Sequence, residues 1–134
     1  MNNEVFGYRR ITIKPFAQAV EDIRESLKTE GFGIITEIDA QKTLKEKIGV
    51  EFPQYVILGA CNPKLAHQAL LSDPEIGLLL PCNVLVYTQG GKTCISAMRP
   101  TVFAEHLKDN MTFCKLADEA EKRLKHAVDA AVRT

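Results

Sequence analysis

The sequence predicts an α+β fold. It reads as one layered domain, residues 1–134, with helices packed on a mixed, mostly antiparallel sheet in the order β-α-β-α-β-α-β-β-α-α. Three observations carry this. Stretches with apolar residues at helical spacing are interleaved with short strand-like runs along the chain. Gln89-Gly90-Gly91-Lys92 separates two such runs as a hairpin loop, and a hairpin puts an antiparallel pair into the sheet. The segment QYVILGACN, 54–62, is apolar on both faces, which requires a cover on each side.

Residues 4–13 are rich in β-branched and aromatic types and read as a strand, with Arg9 and Arg10 interrupting its alternation as on a sheet edge. Pro15 suits the first turn of a helix, and Phe16, Val20, Ile23 and Leu27 follow at helical spacing up to a stop at Gly31. FGIITEI, 32–38, is the next strand, and places Ile34, Thr36 and Ile38 on one face with Glu37 turned outward. Asp39 caps a short helix, 40–48, that ends at Gly49. Within 54–62, Tyr55 and Ile57 share one face; Val56, Leu58 and Ala60 share the other. Asn62-Pro63 then starts a helix, because the Asn side chain can accept from a free backbone N–H and Pro lacks a donor that would go unpaired. That helix runs to about Ser72 and turns Leu65, Ala66, Ala69 and Leu70 inward. Glu75 to Leu79 is a helical turn or a loop. Strands at 82–87 and 93–98 flank the hairpin, a short helix falls near 101–109, and a long one at 111–132 carries the stripe Leu116, Ala120, Leu124, Ala127 and Ala131.

Composition narrows the function classes. Hydrophobic residues make up 46% and charged residues 25%, a globular balance that argues against disorder. Seventeen basic residues match seventeen acidic ones, so the basic excess of a nucleic-acid binder is missing, and Arg9-Arg10 and Lys122 to Lys125 read as solvated surface. MNNEVFGYRR lacks the apolar region of a signal peptide. No apolar run approaches the roughly 20 residues needed to span a bilayer. The expectation is a soluble, cytoplasmic protein with no membrane or nucleic-acid partner. Its four cysteines, at 61, 82, 94 and 114, would stay reduced, and their spacing includes no C-x-x-C. Nucleophile-elbow, dinucleotide, Walker and H-E-x-x-H motifs are absent. Because the strands need two covers, a homodimer supplying the second is expected.

One candidate site stands out. Cys61-Asn62-Pro63 lies at the end of one strand and Pro81-Cys82-Asn83 at the start of another. If those strands are antiparallel neighbours, the two thiols meet at one end of the sheet, beside the N-terminus of the helix opened by Asn62-Pro63. Unpaired amides there favour an anion and would lower a thiol pKa. The expected ligand-binding residues are Cys61, Asn62, Cys82, Asn83 and, from the strand end before Asp39, Glu37; Cys61 and Cys82 are also the candidate metal ligands. The plainer alternative is that both cysteines are small buried hydrophobes. Cys94 and Cys114 lack comparable context, and His67, His106 and His126 read as solvated, with His67 also suited to a subunit contact.

The run 31–87 resembles the bacterial and archaeal family catalogued as domain of unknown function 302. The matching landmarks are Thr36-Glu37-Ile38-Asp39, Leu58-Gly59-Ala60-Cys61-Asn62-Pro63 and Leu79-Leu80-Pro81-Cys82-Asn83. The resemblance implies a small α+β domain that tends to dimerise, and no assigned activity or cofactor. Three functions then compete. A ligand-binding module would hold a small anion, a metal ion or a metal cofactor by Cys61 and Cys82. A thiol enzyme or redox carrier would use the pair as attacking and resolving sulfurs. An interaction protein would leave both as packing. Binding ranks first, since no histidine is placed to serve the thiols as a base.

Overall fold

The computed structural model describes residues 5–134. Its strands are β1 (Gly7–Thr12), β2 (Gly33–Asp39), β3 (Tyr55–Cys61), β4 (Cys82–Gln89) and β5 (Lys92–Met98). Its helices are α1 (Phe16–Thr29), α2 (Ala40–Ile48), α3 (Pro63–Ser72), α4 (Pro100–Ala104) and α5 (Met111–Val132), with a 3-10 turn at Pro74–Leu79. The expected α+β order is the observed one. The sheet runs β1-β5-β4-β3-β2 and its four pairings are all antiparallel, so the mixed sheet expected resolves to a wholly antiparallel one. β1 lies on an edge, where its two arginines had put it; Glu4, the expected first residue of that strand, lies outside the described residues.

Local chemistry sets the ends of the elements. Asp39 accepts from the Lys42 N–H to cap α2, and Gly49 closes it in the left-handed conformation at φ 70°. Asn62 accepts from the Leu65 N–H and Pro63 takes the first position of α3. Gly90 and Gly91, both at positive φ, make the two-residue hairpin turn between Gln89 and Lys92. Asn110 accepts from the Phe113 N–H to begin α5. The expected helix near 101–109 is shorter: α4 ends at Ala104 and the chain tightens into turns bonded from His106 to Phe103 and Leu107 to Ala104. The Cys114 thiol lies 3.8 and 3.6 Å from the carbonyls of Ala104 and Leu107, which also accept from the Leu107 and Asn110 N–H groups.

α1 and α5 pack on one face of the sheet. Ile23, Leu27, Leu124 and Val128 of the helices meet Leu58, Val84, Val86 and Ile95 of the strands in the main core, all buried. A second, smaller cluster of buried residues joins α3, the 3-10 turn, α4 and the start of α5 through Ala69, Ile76, Ala104, Phe113 and Ala117. The opposite sheet face stays partly open, with Ile11 and Ile38 51% and 49% exposed and Tyr55 stacked on Tyr87 at 5.3 Å. Leu70, expected to face inward, is exposed; α3 turns Leu65, Ala66 and Ala69 inward instead.

β2 departs from its expected alternation. A bulge at Ile35 leaves Ile34 opposite Ala60 but moves Thr36 opposite Gly59 and Glu37 opposite Leu58. Ile34 and Glu37 therefore face the helices, while Thr36 and Ile38 face the open side. Two residues on one strand answering one on its partner reset the pleat.

Candidate functional site

β3 and β4 are antiparallel neighbours in which Ala60 pairs with Cys82 and Gly59 with Asn83. Cys61, the last residue of β3, therefore lies one position beyond the partner of Cys82. Both cysteines line one cavity of about 50 Å³ at this end of the sheet. The cavity sits at the seam between the two cores. Phe32, Ala60 and Cys82 come from the main core; Ala69, Phe113 and Ala117 come from the smaller one. Five alanines contribute to the walls, from β3 (Ala60), α3 (Ala66, Ala69) and α5 (Ala117, Ala120). The short alanine side chains leave space that the surrounding Phe32, Leu65, Met98, Phe103, Phe113 and Leu116 do not fill.

Among the described residues the walls hold no charged side chain, and Asn62 is their one carboxamide. Asn62 is buried, and its oxygen is taken by the Leu65 N–H at 3.3 Å, while its amide nitrogen lies against Gly31. The side chain expected to donate to a ligand is thus engaged in capping α3. The expected lowering of the thiol pKa is also reversed at Cys82. Burial, reinforced by the nearby Cys61, pushes the Cys82 thiol up to about 11, so it is protonated at neutral pH. All four cysteines are free thiols.

Cys61, Asn62 and Cys82 come together here; Asn83 and Glu37 do not. Asn83 follows Cys82 and so turns to the other sheet face, where it is exposed and lines a separate groove. Glu37, brought to the helix side by the bulge, forms an ion pair with Arg24 of α1 and does not line the cavity. Among the described residues no group of three or more His, Cys, Asp or Glu side chains is placed to hold a metal ion. Cys61 and Cys82 as metal ligands would therefore have only each other within one chain, and two ligands seldom complete a zinc site. His67, His106 and His126 are all exposed, and none lines the cavity. Cys94 is buried in β5 opposite Tyr87.

The sequence reading missed the far wall. Met98, Phe103, Phe113 and Ala117 all line the cavity. Part of the signal was available: Phe113, Ala117 and Ala120 are spaced at four and three residues, a second stripe beside that of Leu116 and Leu124. Chemically, two thiols in an uncharged, alanine-walled space can contact an apolar or soft occupant. Among the described residues lining the cavity there is no His, Asp, Glu, Lys or Arg to activate them or to hold an anion.

A profile described as "Domain of unknown function DUF302" matches residues 8–131. A crystal structure of an uncharacterized conserved DUF302 protein from Bacillus stearothermophilus superposes with a TM-score of 0.87 at 33% sequence identity, over 96% of this chain and 98% of that one. No curated protein matches the chain significantly. No described helix is long and apolar enough to cross a membrane. With a profile spanning nearly all its residues and a fold shared at this identity, the chain belongs to the DUF302 family.

Proposed function

We propose that the chain is a binding module that takes a small, uncharged, apolar molecule into the cavity between its two cores, against the thiols of Cys61 and Cys82. The carrying observation is the unfilled seam itself. Interiors ordinarily pack without voids larger than a water molecule, and an apolar void is the kind of site that stays dry and accepts apolar guests. The uncharged walls disfavour the anion expected from sequence. The raised Cys82 pKa disfavours a nucleophilic enzyme, because the thiolate is the reactive form.

A titration with 1-butanol followed by methyl NMR tests this. Shifts are expected at the Ala66, Ala69 and Ala117 methyls in the wild type and not in Ala117→Leu, whose larger side chain fills the seam. Absence of shifts in the wild-type protein, with the fold intact, would remove the reading.

The open sheet face supports a second part of the proposal, a homodimer. Ile11, Ile38, Tyr55, Leu85 and Tyr87 present apolar surface there, and the one arginine among them, Arg9, is already bonded to Tyr87. Two copies related by a two-fold axis would cover this face with its own complement.

A further inference from the structure

A second concavity shares a wall with the cysteine cavity. It is a groove of about 540 Å³ on the other side of the segment that precedes β4, and Phe6, Leu78, Val102 and Asn83 belong to it alone. Leu79, Leu80, Pro81, Met98 and Phe103 line both spaces. The partition is thus a single layer of side chains, one of them a methionine, whose unbranched chain has three rotatable bonds and changes shape at little cost. Among the described residues the groove has no charged side chain in its walls, and Asn83 is the one polar side chain there. Leu78 at its rim is 80% exposed.

From these features we infer that the groove and the cavity are two compartments of one site for a free single-chain aliphatic amphiphile. The end of the chain lies in the cysteine cavity, its length lies in the groove, and an uncharged polar head bonds to the Asn83 carboxamide. This rests on the cavity reading above and specifies its ligand. The small inner space accommodates only a chain end, and the five residues common to both walls set that space one side-chain layer from the groove that takes the rest of the chain. An apolar partition between two apolar spaces lets a hydrocarbon replace side-chain contacts without stranding a polar group.

The test is a series of 1-alkanols, butanol, hexanol, octanol and decanol, titrated into the full chain. Affinity is expected to rise about three- to fourfold per added methylene, the gain from removing one CH₂ from water. Leu78→Asp, at an exposed position that leaves the fold intact, should leave butanol binding unchanged and weaken decanol binding about tenfold or more. Asn83→Leu should weaken octanol about fivefold, the worth of one hydrogen bond, with the gain per methylene preserved. Affinity independent of chain length while butanol still binds would overturn the two-compartment site and leave the cavity reading standing. Failure of butanol itself to bind would overturn both. A change of molecular mass in Leu78→Asp would assign the groove to a subunit contact, and co-sedimentation with phosphatidylcholine vesicles would assign it to a membrane surface; either overturns the proposal.

Discussion

A methyl group at position 59 would lie 2.0 Å from Thr36 Oγ1 and 2.8 Å from Pro81 Cγ. At Gly59 the Thr36 side chain of β2 and Pro81 of the segment before β4 both pack against the β3 backbone, next to the cysteine end of the sheet. Gly59→Ala should cost about 1–3 kcal/mol, as overpacking does, seen as a lower urea midpoint. Adding Thr36→Ala should restore only part, because the Pro81 contact remains. Cys82 offers a second test at this scale. Its folded pKa of about 11 lies above the ordinary thiol value of 9.0. Below the ordinary value both folded and unfolded thiols are protonated and nothing is lost. As pH rises from about 9 to 11 only the unfolded thiol ionises, so stability should fall by about 2–3 kcal/mol. Denaturation at pH 8 and pH 11 measures this, and Cys82→Ala should flatten that part of the curve. The sequence made Cys61, Asn62 and Cys82 visible, because a strand end and a capped helix start are local patterns. It hid the thiol's environment, because the burial of Cys82 depends on α5, an element remote from it in the chain.

At the scale of elements, Glu121 holds α4 against α5. Its side chain is 8% exposed, and it accepts from the Thr101 N–H at 3.1 Å, the Thr101 hydroxyl at 2.6 Å and Arg99 Nε at 3.1 Å, with Lys125 Nζ also at 3.1 Å. Burial alone would raise its pKa; the bonds from Thr101, Lys125 and Arg99 outweigh that and lower it. A lowered folded value means the stabilisation is present above the ordinary glutamate range and is lost as pH falls through the folded value. Glu121→Ala should therefore cost about 1–3 kcal/mol at pH 7, the price of leaving the Thr101 donors unpaired. The deficit should shrink in acid, as urea midpoints at pH 7 and pH 3 would show. Most elements were legible in the chain. α2, β3, α3 and α5 appear within a residue or so of their expected limits, since each has a cap, a proline or a glycine at an end. β2 shows what was not legible: nothing in GFGIITEI marks a bulge, and the parity of Glu37 is fixed only by pairing with β3. α4 likewise stops early: the Phe103 and Ala104 carbonyls accept from His106 and Leu107 in i→i+3 turns, and the Cys114 thiol of α5 adds a contact to Ala104.

For the whole molecule the open sheet face is decisive. Light scattering coupled to size exclusion should return about 30 kDa, twice the 14.9 kDa of one chain, if the proposed two-fold pair forms. Ile38→Asp, at a half-exposed position, should bring the mass to 14.9 kDa with an unchanged circular dichroism spectrum. A wild-type mass of one chain would discard the pair without touching the cavity. Of the two apolar faces read in 54–62, the structure buries Val56, Leu58 and Ala60 under the helices and leaves Tyr55 and Ile57 half-buried on the open side. What a second cover would be was not legible, because a helix layer and another subunit make the same demand on a strand.

β1 bonds to β5, and Tyr8 beside it reaches Asp129 of α5 at 2.8 Å. During synthesis β1 therefore emerges before its neighbour, and its mate β5 follows about 80 residues later, a delay of about 4–16 s at ordinary elongation rates. Until then β2, α2, β3 and the segments after them must hold themselves together as a growing meander, and the nascent N-terminal strand stays available to chaperones. Synthesis closes the sheet only when its last strand arrives.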